Sequence, residues 1–196
     1  MATARDIRRR IKSIKSTQQI TKAMKMVSAS KLRKAQKVVF DIRPYCQKME
    51  DIITHLSGID EIHPLLEKRK TVNKVLYLVI GSDRGFCGGF NGNLQRFIDY
   101  TLAKEQHHYQ LIVLGRRVLS FCTRTGKPVV MNNTQIGDNP NYAQARELAG
   151  YIQKSFTSGE YDEVYLIYSE FKSVISQIPA VKKLLPLDLN QSPDDQ

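Results

Sequence analysis

Two periodicities and one charge asymmetry predict a mixed α/β protein. Over the first fifty-odd of 196 residues, apolar side chains recur at alternating steps of four and three, the seam of a coiled-coil helix. From residue 72 that pattern gives way to short β-branched runs alternating with amphipathic stretches, the signature of strands and helices in turn. The net charge of +11 falls within the first forty residues, where twelve Lys and Arg face the single acid Asp6; the remainder is neutral. The predicted fold is a long, cationic N-terminal coiled-coil helix joined to a Rossmann-like α/β domain with a mostly parallel sheet. The predicted boundaries are a shaft helix over 1–58, a connector over 59–71, the α/β domain over 72–186 and a flexible polar tail over 187–196.

The helix comes first in the chain. Its seam runs Ile7, Ile11, Ile14, Gln18, Thr21, Lys25, Ser28, Leu32, Ala35, Val39, Ile42, Cys46, Met49, Ile53 and Leu56. A repeat of 3.5 residues calls for a left-handed supercoil with a partner. Thr3 with Asp6 offers a capping pair at the start, and Ser57-Gly58 offers a stop. Pro44 is predicted to bend or split the helix, because it removes one backbone hydrogen bond. The polar gap between Gln18 and Ser28 coincides with a second apolar stripe, Ile20, Ala23, Met24 and Val27, at i, i+3, i+4 and i+7. Two readings fit that stripe: contact with two partners, or one buried face that rotates along the helix.

In the body, Val72 to Ile80 reads as a buried strand, and Leu94 to Lys104 as an amphipathic helix. Tyr109 to Leu114 is a second strand, Arg116 to Arg124 a second helix, and Lys127 to Asn132 a short third strand. Asn141 to Ser158 is a helix with Ala145, Leu148, Ala149 and Ile152 on one face. Tyr161 to Phe171 is a further strand. Val174 to Leu185 is an extended run in which Pro179 predicts a sheet edge or bulge.

A cationic rod calls for an acidic counterpart: nucleic acid, an anionic membrane or an acidic protein surface. Basic residues such as Arg8, Arg9, Lys12 and Lys25 surround the rod, and the seam runs through them. A DNA-reading basic zipper places its basic block ahead of a clean seam, so a nucleic-acid-binding helix is the weaker alternative. No apolar run reaches the roughly 18 residues that span a bilayer. Cys46, Cys87 and Cys122 are odd in number, far apart and without metal spacing, which fits free thiols in a reducing compartment. The Arg-rich start resembles a targeting presequence, but its heptad continues unbroken, so it is read as mature structure.

The glycine-rich turn after the first strand, Asp83, Arg84, Gly85, Cys87, Gly88, Gly89 and Asn91, sits where many folds bind phosphate. It carries neither the Lys-Ser/Thr of a P-loop nor a G-x-G-x-x-G. The glycines are read as structural, allowing positive φ and close packing at a strand-to-helix crossing. Cys87 is read as a packed thiol rather than a nucleophile, and Asp83 with Arg84 as a pair shaping the turn. His107 and His108 are read as solvated. No carboxylate pair or catalytic triad is spaced for chemistry, so no catalytic, metal or cofactor residues are expected.

The run ITKAMKMVSASKLRKAQ (Ile20 to Gln36) and the loop GSDRGFCGGFN (Gly81 to Asn91) closely resemble the gamma subunit of F-type ATP synthases. The family's helix motif D-I-x-x-R-I-x-S-I-x-x-T-x-x-I-T-x-A-M-x-M-V is met from Asp6 to Val27, and its loop D-R-G-L-C-G-x-x-N from Asp83 to Asn91, with Phe86 in place of Leu. The resemblance implies a non-catalytic central-stalk rotor that couples ion flow to ATP synthesis or hydrolysis in the beta subunits. It implies contacts with the alpha and beta subunits of the catalytic ring, the epsilon subunit and the membrane rotor ring. The ring-facing part of the shaft would hold Arg8, Arg9, Lys12, Ile20, Ala23, Met24, Lys25 and Val27. Family members supply the other half of the coiled coil from a C-terminal helix, and no second long heptad run occurs in these 196 residues. The seam is therefore expected to be ordered where the ring or another chain covers it. The absence of a presequence points to a bacterial complex, peripheral on the cytoplasmic side of the plasma membrane.

Overall fold

A computed structural model describes residues 3–55, 63–134 and 141–187. The chain divides into two units, Met1–Gly58 and Ile59–Gln196, and each is considered by itself.

The first unit is one helix, α1, from Ala4 to His55. At about 1.5 Å per residue, its 52 residues span roughly 80 Å. Its start is fixed by the predicted capping pair. The Thr3 backbone N–H and hydroxyl donate to Asp6 Oδ2 at 3.1 and 2.6 Å, and the Asp6 N–H donates back to Thr3 Oγ1 at 3.4 Å. These bonds from Thr3 hold the Asp6 carboxyl below its ordinary pKa. The helix passes through Pro44 unbroken, against the predicted split. The hydrogen bond that Pro44 forfeits is an exposed one, open to water, and its loss does not end the helix. The proposed stop at Ser57-Gly58, and Leu56 of the seam, lie outside the described residues.

The second unit is a five-stranded sheet with helices on both faces. Its elements are β1 (Lys74–Ile80), α2 (Phe90–Ala103), β2 (His108–Leu114), α3 (Arg116–Arg124), β3 (Val129–Asn133), α4 (Tyr142–Thr157), β4 (Glu163–Ser173) and β5 (Ser176–Leu185). The strand order is β3-β2-β1-β4-β5. Strands β1 to β4 run parallel, and β5 returns antiparallel along β4. The central position of β1 explains its unbroken apolar run, since a strand covered on both faces has no solvent side to mark with polar residues.

Alternate residues of β1 serve two cores. Val75, Tyr77 and Val79 pack with Leu94, Ile98 and Leu102 of α2 and with Val118, Phe121 and Cys122 of α3. Leu76 and Leu78 face the other way, toward Ile152 and Phe156 of α4, with Tyr161, Val164 and Leu185. Each such side chain contributes about 1.5–3 kcal/mol when fully buried.

Pro179 lies on β5, an edge strand as predicted, opposite Ser169, where a missing N–H costs no interior ladder bond. α4 begins with a capping box: the Gln144 N–H donates to Asn141 Oδ1 at 2.9 Å, and the Asn141 N–H to Gln144 Oε1 at 3.4 Å. Of the four residues predicted on its inner face, Ile152 is buried and Leu148 half-buried, whereas Ala145 and Ala149 are exposed. They border an apolar cleft of about 800 Å³ shared with Leu78, Leu114 and Met131. The segment before β1 is strapped to the body. Leu187 N–H donates to Leu65 O at 2.9 Å. The Arg69 guanidinium lies over the Phe156 ring, 5.7 Å from its centroid, and donates to the Phe156 carbonyl at 3.3 Å.

Candidate functional site

Two features of the chain offer surfaces for interaction, the shaft α1 and the loop after β1. On α1 the seam side chains Ile7, Ile11, Ile14, Leu32, Ile42 and Met49 are exposed, and Val39 and Ile53 are half-buried. Ala35 of the seam is exposed too. In the second stripe Met24 is 63 % exposed, and Ile20, Ala23 and Val27 are likewise open. At about 100° per residue this stripe is centred roughly 130° around the helix from the adjoining seam positions Gln18 to Ser28. One helix therefore presents two apolar strips on different sides, surrounded by Arg8, Arg9, Lys12 and Lys25, all exposed. In the polar interval between the strips, Thr17 donates to Ser13 O at 3.1 Å, and Thr21 donates to both Thr17 O and Gln18 O at 3.0 Å. These hydroxyls are satisfied by their own helix and ask nothing of a partner.

The loop from Gly81 to Asn91 is knitted together by side chains at its two ends. The Ser82 hydroxyl is 2.7 Å from Asn91 Oδ1 and 2.8 Å from the Arg84 carbonyl. Asn91 Nδ2 donates to the same carbonyl at 3.2 Å and to Cys87 Sγ at 3.0 Å. Asp83 does not pair with Arg84 to shape the turn. Its carboxylate accepts the Arg116 N–H at 2.9 Å, capping the first turn of α3 from another part of the chain. Arg117 N–H donates to Ser82 O at 3.0 Å, so the loop and α3 are tied at two points.

Of the loop glycines predicted to pack closely, Gly85 does, since a Cβ there would lie 2.8 Å from the Arg117 guanidinium, whereas Gly88 is open; the tightest backbone crossing lies elsewhere. Gly115, at φ +109°, crosses so near Gly81 that a Cβ there would lie 2.6 Å from the Gly81 carbonyl oxygen. Of Gly85, Gly88 and Gly89, Gly88 alone has positive φ, and Gly89 adopts an ordinary right-handed conformation. The loop's other left-handed residue is Phe86, at φ +56° and fully exposed. Cys87 is exposed rather than packed, and the buried thiol is Cys122, whose pKa burial pushes up to about 11.

On the α2 side, a polar network joins the sheet to the end of α2. Tyr77 and Tyr165 stack with ring centroids 5.4 Å apart. Tyr77 donates to Glu105 at 2.5 Å and Tyr165 to Glu163 at 2.7 Å. Lys183 pairs with Glu163 at 2.5 Å, and His107 with Glu105 at 2.7 Å. Burial works against the Glu105 carboxylate, but the bonds from Tyr77 and His107 prevail and hold its pKa below the ordinary value. Both tyrosines are pushed well above theirs, by burial first and then by the carboxylates. His107 and His108 are exposed as predicted, although His107 is engaged with Glu105. Among the described residues, no group of three or more His, Cys, Asp or Glu is placed to hold a metal ion. Nor is any helix among them long and apolar enough to cross a membrane.

A family model described as ATP synthase matches residues 3–196. The ATP synthase gamma chain of Desulfitobacterium hafniense is 48% identical over 190 residues, covering 96% of this chain and 67% of the relative. The chain belongs to the ATP synthase gamma-chain family. The gamma chain of Pelotomaculum thermopropionicum is 43% identical over 192 residues, covering 96% of this chain and 66% of its own length. The chain thus spans about two thirds of the length of these gamma-chain relatives. Among solved structures, the central stalk and c-ring of the Tetrahymena thermophila mitochondrial ATP synthase matches with a TM-score of 0.62 at 27% identity, over 85% of this chain and 72% of that one.

Within this gamma-chain fold, the sequence motifs mark two separate surfaces, a shaft stripe and a clamped loop. Sequence reasoning missed the positive φ of Phe86 and Gly115, and missed the Tyr77–Glu105 and Tyr165–Glu163 pairs. The spacing of Gly115 one residue after β2 was the available signal for the crossing. The tyrosine pairs had none, since they depend on strand register.

Proposed function

We propose that this chain is the central-stalk rotor subunit of an F-type ATP synthase, a non-catalytic part that couples ion flow to ATP synthesis or hydrolysis. The observation that carries the reading is similarity to gamma chains along nearly the whole sequence, 48% over 190 residues, joined to an α1 whose apolar strips are exposed. The shaft stripe Ile20, Ala23, Met24 and Val27, with Arg8, Arg9, Lys12 and Lys25, faces the alpha and beta subunits of the catalytic ring. The seam from Ile7 to Leu56 takes a helical partner, and the loop Asp83 to Asn91 is a structural hub of the body. The body meets the epsilon subunit and the membrane rotor ring. The complex is peripheral to the membrane, on the cytoplasmic side of a bacterial plasma membrane.

A rotor works by offering each catalytic site a different face in turn. Each orientation must therefore bind the three sites with different free energy, since only differential binding shifts their states. A helix with unlike sides supplies such asymmetry. Mixing the chain with alpha and beta subunits tests the reading: one copy per ring should co-purify at moderate salt. Failure to join the ring, together with DNA binding that falls steeply with salt, would contradict it.

A further inference from the structure

Helix α4 meets the sheet closely along only part of its length. In its C-terminal half Ile152, Ser155 and Phe156 are buried. In its N-terminal half Ala145, Leu148 and Ala149 border the apolar cleft, and none of the three is buried. Across the gap, Ile80 ends the central strand β1 at 41 % exposure, although Leu76 and Leu78 on the same face are covered. The cleft of about 800 Å³ reaches the carboxyl ends of β1, β2 and β3 at Ile80, Leu114 and Asn133. Protein interiors are close-packed, so a space of this size beneath a helix costs stability unless something fills it. Water is a poor filler where the walls are apolar.

The lining limits what the occupant can be. Glu147 is its one charged residue, so no cation is present to hold a carboxylate, phosphate or sulfate. The other polar side chains are chiefly amides. Asn141 and Gln144 spend their side-chain oxygens in the capping box, each accepting the other's backbone N–H. What these two amides have left to offer is N–H donors. Apolar walls, a few donors and this volume are the composition of a small-molecule pocket. The carboxyl ends of the strands are also where open α/β sheets commonly bind ligands. The α4 face over the gap is built on two alanines, a residue depleted at protein interfaces, which argues against a protein partner.

We propose that this cleft binds an uncharged amphipathic small molecule. Its apolar body lies against Leu78, Leu114, Met131 and Leu148, and a carbonyl or ester oxygen accepts from the Asn141 and Gln144 amides. The rotor reading assigns nothing to this site, and the inference does not depend on it.

The test titrates the full chain with prodan, a neutral naphthyl ketone whose emission moves to the blue in an apolar site. One molecule per chain should bind saturably, and methyl decanoate should displace it at least about tenfold more effectively than decanoate. Ala145→Phe and Ala149→Phe fill the cleft from α4, and each should weaken prodan at least about tenfold with no loss of helix. Gln144→Glu keeps the capping box, because a carboxylate accepts the same N–H, but removes the amide donor. It should weaken prodan too, and it decides the matter should a phenylalanine variant lose helix. Absence of saturable binding, binding that the variants leave unchanged, or equal displacement by decanoate overturns the proposal. So does a benzophenone on Ala149→Cys that cross-links to another subunit in the assembled complex, since the cleft is then a protein contact. Each of these results leaves the rotor reading intact.

Discussion

Tyr77→Phe isolates the polar network on the α2 side of the sheet. The ring stays, with its 4 % exposure and its stacking on Tyr165, and one hydroxyl is removed. That hydroxyl donates to the Glu105 carboxylate at 2.5 Å, a charge-assisted bond worth about 1.5–3 kcal/mol. Glu105 keeps the His107 N–H at 3.0 Å and the His107 ring at 2.7 Å, so its carboxylate is not orphaned. The lower end of the range, about 1.5 kcal/mol, is therefore expected at pH 7. The pH dependence has a definite sign. The Glu105 carboxyl is held below its ordinary value of 4.5, so its network stabilises the fold above that value and loses its effect as pH falls through the folded pKa. Urea unfolding of both chains at pH 7 and at a series of acid pH values, taken down until the gap between them levels off, measures the difference. The gap should shrink on acidification, as the protonated carboxyl accepts a weaker bond. A gap that stays constant, or widens toward acid, would refute the assignment of the hydroxyl to an ionised Glu105.

Two further outcomes follow from other parts of the chain. Gly115→Ala places a methyl 2.6 Å from the Gly81 carbonyl oxygen at φ +109°, and should cost roughly 3 kcal/mol or more, read as a lower urea midpoint. The isolated chain should show less helix by circular dichroism than α1 to α4 would give together, with the deficit recovered on adding alpha and beta subunits. An exposed apolar seam leaves α1 without the packing that sustains long helices. A monomer with a stable helix of over fifty residues would contradict that expectation.

The elements whose local sequence states their environment were legible. α3 falls on its predicted bounds because a glycine precedes it and its apolar residues Val118, Phe121 and Cys122 repeat on the buried face. The Thr3–Asp6 cap was legible for the same reason, since both partners lie within one turn. α2 begins at Phe90 rather than the predicted Leu94, because the loop's last residues already turn helically behind Gly89. The conformation of Phe86 was not legible. It depends on Asn91 and Ser82, which meet only after β1 and α2 are in place. Asp83 was assigned to its neighbour Arg84, but its partner is 33 residues away, on a helix whose approach only the sheet order determines. On the shaft, the two apolar strips were visible as periods, whereas what covers them is a property of other chains.

The central claim is that α1 is a shaft turning within a catalytic ring, and rotation tests it directly. With the ring immobilised and a probe fixed to Lys154 →Cys on the exposed face of α4, added ATP should drive stepwise rotation of the probe in one direction. Steady ATP hydrolysis by a ring that holds this chain stoichiometrically, with the probe standing still, would contradict the account.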